Sequence, residues 1–264
     1  QTALKKAENR QLPLAAWSSV GVEALGVLER LHEQAQLLHL DVKPSNFLLA
    51  DAAAAPAAAL APGAALRLVD FGLARSYQQP WWSPQRGQHL PDGTRSGGLV
   101  GTVRYASVAN HERRALGRRD DLESLAYMLV YLRTGSLPWR KVEAPTQPVR
   151  IKMTLIKKQR AADGVDLCKA MPPPFADFWA GIRALEHAER PDYGALLGLL
   201  DDPGDPWRDW APPRSIEEKA VAQSVLDARA PRAPPRAAPR PAKPRRRRSR
   251  ARSASCSPSA TARP

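Results

Sequence analysis

The stretch His39-Leu40-Asp41-Val42-Lys43-Pro44-Ser45-Asn46-Phe47-Leu48-Leu49 sets an Asp, a Lys two residues on and an Asn five residues on in one short loop. These three side chains can share one task. An Asp can accept the proton of an incoming hydroxyl, a Lys can neutralise charge on a phosphoryl group in transfer, and an Asn can hold a metal ion against phosphates. Pro44 stiffens the turn between them. A further acid stands at Asp70, in Asp70-Phe71-Gly72, just after a short apolar run, and its carboxylate offers a second metal ligand. Singly, an Asp-x-Lys-x-x-Asn match is weak, because any charged surface loop can supply it. Two such motifs in this order, each beside a strand-like run, form a strong signal.

Elements on either side must hold these groups. Leu14, Trp17, Gly21, Leu25, Leu28 and Leu31 recur at steps of three and four, which predicts a helix to about His32 with this face buried and Pro13 in its first turn. That helix delivers the loop. Residues 50–65 are nearly all Ala with Pro56, Pro62 and Gly63, a low-complexity excursion. Leu66-Arg67-Leu68-Val69 reads as the strand leading into Asp70. Residues 76–100 form a long polar segment interrupted by Trp81-Trp82, and loops of that length are usually functional or disordered. Gly101-Thr102-Val103-Arg104-Tyr105-Ala106-Ser107 closes it. A strongly apolar helix then opens at Arg118-Arg119-Asp120-Asp121, with an Asp at its start and Gly135 at its end.

The chain has 264 residues, 43% of them hydrophobic, so it can bury a core. Its net charge of +14 is unevenly spread. Residues 229–264 hold 11 Arg, 1 Lys and no acid, hence +12, which leaves about +2 for residues 1–228. Two cysteines, Cys168 and Cys256, argue against a disulfide scaffold and suit a reducing compartment. No apolar run reaches membrane-spanning length. Ser215 to Arg229 reads as one more helix, and residues 230–264, rich in Pro, Ala, Arg and Ser, are expected to be disordered. Within that tail the Arg245–Arg248 run is a candidate for nuclear import or weak polyanion and nucleic-acid contact.

Together the loop at Asp41 and the Asp-Phe-Gly resemble the catalytic signatures of protein kinases. Gly-Thr-x-Arg-Tyr-Ala-Ser, Arg-Arg-Asp-Asp-Leu-Glu-Ser-Leu and Gly-Ser-Leu-Pro-Trp narrow the likeness to the casein kinase 1 family, with some likeness to its tau-tubulin kinase branch in 103–108 and 138–141. Pro172-Pro173-Pro174-Phe175, Arg190-Pro191-Asp192-Tyr193 and the Trp207/Trp210 pair follow in the family's order, so the resemblance spans roughly residues 10–210. It implies a mainly α (α+β) kinase-like C-terminal lobe over 1–214, then the 215–229 helix or linker and the basic tail.

The implied reaction is transfer of the ATP γ-phosphoryl group to a protein Ser or Thr, with Mg²⁺. In it Asp41 is the base, Lys43 the charge stabiliser, and Asn46 and Asp70 the metal ligands. Thr102 and Arg104 are implied substrate-side groups, and His39 and Asp121 structural supports. The family's Gly-rich loop and strand Lys have no counterpart, and Gln1 falls just after the hinge, so the expectation is a C-terminal lobe that is inactive alone. The Arg usual between His and Asp is Leu40. The Lys that the family pairs with the Arg matching Arg104 falls on Gln147 in an ungapped reading, with Arg150 and Lys152 nearby. Protein substrates, a monomer, no membrane and a cytoplasmic or nuclear location are implied. The alternatives are a catalytically silent interaction module and a nucleic-acid-associated protein acting through its tail.

Overall fold

The computed structural model describes residues 12–49, 66–80, 82–140 and 142–201. The expectations for 50–65, Trp81, Lys141, Trp207, Trp210, the 215–229 helix and the tail with Arg245–Arg248 fall outside them. Seven helices and four short strands are described, so these residues are mainly helical.

The first helix, α1, runs Leu14–Glu33 behind Pro13 and buries the stripe its spacing marks: Leu14, Trp17, Gly21, Leu25, Leu28 and Leu31. Gly21 earns its place by contact. A Cβ there would stand about 3.4 Å from Leu200 and 3.5 Å from Leu129, so the helix lies close to two others. Two side-chain bonds fix it in register: Trp17 Nε1 donates to Leu129 O at 2.9 Å, and Ser18 Oγ donates to Leu200 O at 2.5 Å.

After α1 the chain makes β1 (Leu37–Leu38), the loop, a 3₁₀ turn at Pro44–Asn46 and β2 (Phe47–Leu49). Strand β3 (Leu66–Leu68) pairs antiparallel with β2, Phe47 opposite Leu68, and β4 (Arg75–Ser76) pairs antiparallel with β1. The strand expected through Val69 ends one residue earlier. Val69 N still donates to Asn46 O at 2.9 Å, after which the backbone turns through a positive φ at Asp70. The β2–β3 pairing therefore leaves Asn46 and Asp70 at the same end of the ladder.

Helix α2 (Val108–His111) is a single turn. Helix α3 (Arg118–Thr134) is buried almost all round, as a helix at the centre of a bundle must be. Its charged side chains find individual partners: Arg118 meets Glu33 at 3.2 Å, Glu123 meets Arg183 at 3.0 Å, and Arg133 donates to Leu12 O at 3.1 Å. At its end Gly135 takes the left-handed cap position, φ 70°. Helices α4 (Gln147–Arg160), α5 (Val165–Cys168), α6 (Pro174–Ala184) and α7 (Tyr193–Leu200) follow. Phe175, Phe178, Trp179 and Ile182 of α6 join the core that α1 and α3 share, with Trp17 edge-on to Phe175 at 5.9 Å.

Candidate active site

Asp41 is nearly buried, and its carboxylate gathers three neighbours. Thr102 reaches Oδ1 twice, from its backbone N at 2.9 Å and its hydroxyl at 2.7 Å. Lys43 Nζ donates to Oδ2 at 2.5 Å and reaches Thr102 Oγ1 at 3.3 Å. Asn46 Nδ2 donates to Asp41 O at 2.9 Å, closing the loop on itself. Burial opposes the charge on Asp41, but the bonds from Lys43 and Thr102 and the Lys43 charge outweigh it and hold the carboxyl below its usual range. At neutral pH the site thus holds an anion beside a cation, with Thr102 fixing their orientation.

Gly101 makes that approach possible. It sits at φ 78°, and a Cβ there would come within 2.3 Å of Leu40 O and 3.1 Å of Asp41 Oδ1. Only glycine combines this conformation with this closeness.

Asp121, in the first turn of α3, holds the loop from beneath. Its Oδ2 accepts from His39 N at 2.6 Å and its Oδ1 from Leu40 N at 2.9 Å. His32 Nε2 lies 3.0 Å from Oδ2. A carboxylate can only accept, so that nitrogen carries the proton, and Nδ1 accepts from the Tyr193 hydroxyl at 2.7 Å. Leu40, bonded by Asp121, sits at φ 65°, a conformation that costs a non-glycine residue roughly 1–2 kcal/mol. His39 packs beneath: Nε2 donates to Val69 O at 3.0 Å, Nδ1 accepts from Asp41 N at 3.3 Å, and the ring meets Phe71 edge-on at 5.3 Å.

The residues suit a divalent cation of the oxygen-seeking kind. With Nδ2 of Asn46 committed to the loop, its Oδ1 remains an available oxygen, and the exposed carboxylate of Asp70 lies at the same end of the ladder. Mg²⁺ is commonly held by one or two such protein oxygens, with phosphates and water completing the shell. Among the described residues no group of three or more His, Cys, Asp or Glu forms a metal cage.

A groove of about 590 Å³ opens beside the loop. Lys43, Thr102, Arg104, Arg140, Gln147 and Arg150 are among the groups that line it. Gln147, which the ungapped register sets at the family's Lys, and Arg150, its neighbour three residues on in the same helix, both line the groove. Arg104 also lies over the Tyr131 ring at 5.3 Å, and its carbonyl accepts from Trp139 Nε1 at 2.8 Å.

Sequence reasoning missed several supports. Lys158 is buried, donates to Val103 O at 3.1 Å and to Ala106 O, and lies over the Tyr127 and Trp139 rings. Burial lowers its pKa to about 7, against a weaker opposing pull from Glu123. It pins the strip carrying Arg104, and nothing in Lys157-Lys158 shows which lysine turns inward. His89 and His187, far apart in sequence, meet at 4.6 Å and both bond Leu90 O. Trp82, by contrast, is exposed and belongs to no core.

Comparison with known proteins accounts for this arrangement. Residues 2–198 match the protein kinase domain family. Casein kinase 1-like protein HD16 of Oryza sativa subsp. japonica is 36% identical over 201 residues, covering 70% of this chain and 26% of that protein. Casein kinase I homolog 2 of Schizosaccharomyces pombe is 35% identical over 180 residues, 68% of this chain and 38% of that protein. Casein kinase I homolog 3 of Saccharomyces cerevisiae is 32% identical over 204 residues, 73% and 38%. The chain thus spans between about a quarter and two fifths of the length of these relatives. With three quarters of its length matched to the domain and the Asp41 loop, Asp70 and Thr102 set in its order, this chain belongs to the protein kinase family, as a casein kinase 1-like member.

Proposed function

We propose that this chain, together with a nucleotide-gripping Gly-rich lobe, transfers the γ-phosphoryl group of ATP to Ser or Thr hydroxyls of proteins. The observation that carries the reading is the Asp41–Lys43–Thr102 network, with Asn46 closing the loop behind it. Asp41 takes the hydroxyl of the acceptor at Oδ2 and receives its proton as the bond to the γ-phosphorus forms and the bond from that phosphorus to the bridging oxygen breaks, releasing ADP. Lys43, already beside that oxygen, neutralises charge gathering on the phosphoryl oxygens. Thr102 fixes the Asp41 carboxylate and the mouth of the groove. The family implies ATP and a divalent metal; Asn46 Oδ1 and Asp70 would hold Mg²⁺, which neutralises the phosphates. The cationic groove of Lys43, Arg104, Arg140 and Arg150 favours acceptors with acidic or phosphorylated residues near the target hydroxyl.

The described residues correspond on this reading to the family's C-terminal lobe. Phosphoryl transfer rests on positioning and electrostatic stabilisation. These 264 residues carry no match to the Gly-rich loop or the strand Lys that grip the nucleotide, so residues 1–264 alone should give no turnover. The tail's Arg245–Arg248 run, a monomeric state and a cytoplasmic or nuclear location belong to the same proposal. No described helix is long and apolar enough to cross a membrane.

The test joins the Gly-rich lobe of a casein kinase 1 relative ahead of Gln1 and measures labelled phosphate transfer to casein. Transfer is expected from the fusion, none from residues 1–264, and none from the fusion carrying Asp41→Asn, whose thermal transition stays in place. A fusion that remains active with Asp41→Asn overturns the assignment of the base.

A further inference from the structure

Helix α4 is apolar on the wrong side. Its inward face is set by Thr154 and Lys158, which are 3% and 1% exposed. Val149, Met153 and Ile156 are 40%, 39% and 39% exposed. At 3.6 residues per turn these three share an arc of about 60° on the face opposite Thr154 and Lys158. Packing in the fold explains neither their position nor their chemistry, since a solvent-facing stripe on a surface helix is ordinarily polar.

The charges around the stripe are of one sign. Helix α4 carries Arg150, Lys152, Lys157, Lys158 and Arg160 and no acid. The same helical geometry puts Lys152 on one flank of the stripe, Arg150 and Lys157 on the other, and Arg160 in line beyond Ile156. An acid does meet this helix: Glu112 accepts from Gln159 at 2.7 Å, on the Lys152 side. That leaves the Arg150–Lys157 flank and the Arg160 end uncompensated by any acid of the helix itself.

We propose that this face of α4 docks an acidic amphipathic helix of a partner protein. The stripe is about two turns long, and its four-three spacing presents a ridge that a second helix can straddle. Acidic residues beside that helix's apolar seam would meet cations on both flanks, which gives orientation and faster encounter. A second copy of this chain is a poor occupant, because it would set four cations, Arg150, Lys152, Lys157 and Arg160, against the same four. A bilayer surface is a poorer fit too. Interfacial helices bury a broad apolar face with Trp, Phe or Leu, whereas α4 turns Thr154 and Lys158 into the body and its outer stripe has three aliphatic side chains. The proposal does not depend on phosphoryl transfer.

The experiment uses the full chain and fluorescence anisotropy at about 0.15 M salt, where exposed charges are partly screened. The probe is a synthetic peptide of about eighteen residues, with Leu at i, i+4, i+7 and i+11 and Glu at most other positions. Its control is the same composition scrambled. Any attraction of acidic peptides to the Arg-rich residues 229–264 is common to both. We expect the patterned peptide to bind at least tenfold tighter than the scrambled one. We expect the Met153→Ser/Ile156→Ser double variant to lose that advantage while its thermal transition is kept, and Val149→Gln to lose part of it. Equal binding of the two peptides, or an undiminished advantage in the double variant, overturns the proposal. So does co-sedimentation with phosphatidylserine vesicles that the double variant abolishes, since the face would then read lipid.

Discussion

Replacing Asp121 with Asn should be among the most damaging isosteric changes available to this protein. The side chain is 1% exposed, and its two oxygens accept three N–H groups: His39 N, Leu40 N and His32 Nε2. An amide keeps one oxygen and turns the other into a donor. Turned one way, the new N–H faces the Leu40 amide; turned the other, it faces the His39 amide. Either orientation sets donor against donor where water cannot intervene. A bond to a charged acceptor is worth about 1.5–3 kcal/mol, and an orphaned buried donor costs about 1–3 kcal/mol more. Flipping the His32 tautomer recovers part of this by letting Nε2 accept, though the Tyr193 hydroxyl must then reverse its own bond. The sum is about 3–5 kcal/mol, a large share of the ~5–15 kcal/mol that holds a typical domain together. The loss should be local first. Leu40 keeps its left-handed backbone because Asp121 holds it, so the loop should relax before α1 or α3 does. Urea unfolding followed by circular dichroism reads the total. Hydrogen exchange reads the order, with His39 and Leu40 amides losing protection before those of α3. A stability loss under about 1 kcal/mol, with protection at His39 and Leu40 unchanged, would refute the reasoning.

Gly101→Ala should abolish organisation of the site with little change in the core, because the added carbon meets Leu40 O at 2.3 Å in a backbone conformation at φ 78°. Its signature is loss of phosphoryl transfer in a fusion that is otherwise active, with far-ultraviolet dichroism preserved; an active Gly101→Ala protein would show that the turn tolerates a side chain. Acid should loosen the fold through its buried histidines. Burial, then the nearby Lys158 charge, lowers His111 to about 4, and burial with nearby arginines lowers His89 and His187. Each folded pKa lies below the unfolded value near 6.5, so the stability gained from the neutral rings is full above that pH and is lost as pH falls. For His111 the window runs from about 6.5 down to about 4, roughly 2 kcal/mol by pH 5. Thermal transitions at pH 7.5 and 5.0 measure it, and His111→Gln should shrink the difference; an equal acid loss in that variant would assign the effect elsewhere.

The parts legible in the sequence are those where one physical rule acts alone. The stripe from Leu14 to Leu31 has helical spacing and nothing competing with it, and α1 follows. Gly135 after an apolar run marks a helix end, and α3 stops there. The loop from Asp41 to Asn46 is short, so its side chains meet whatever lies around them. Long-range juxtapositions obey no such local rule. Lys158 is turned inward because Val103 and Ala106 offer carbonyls and Tyr127 and Trp139 offer ring faces, all remote in sequence. Arg150 reaches the groove because α4 brings two side chains of one face to its edge, which an ungapped count cannot express. The His89–His187 contact joins residues 98 apart through a shared carbonyl.

Leu40 ties these observations together. Where the resemblance to other kinases leads one to expect an arginine, this chain has a leucine packed among Leu38, Tyr77, Ala109 and Leu116. A guanidinium there would need an anion; a leucine needs only apolar neighbours, and it has them. The segment ahead of Thr102 is anchored at several points. Leu90 N donates to Tyr77 O at 2.7 Å, and Leu90 O takes both imidazoles. Asn110 exchanges hydrogen bonds with the Val100 backbone at 3.1 and 2.8 Å, and the same amide oxygen accepts from Arg95 at 2.9 Å. Thr102 then arrives at Asp41 as the last member of a strip already fixed at several points. The strip is therefore held by packing, by neutral hydrogen bonds and by charged donors from Arg95 and Lys158. At the loop itself the charges are those of Asp41 and Lys43, where transfer would use them, and of Asp121, which bonds the His39 and Leu40 amides.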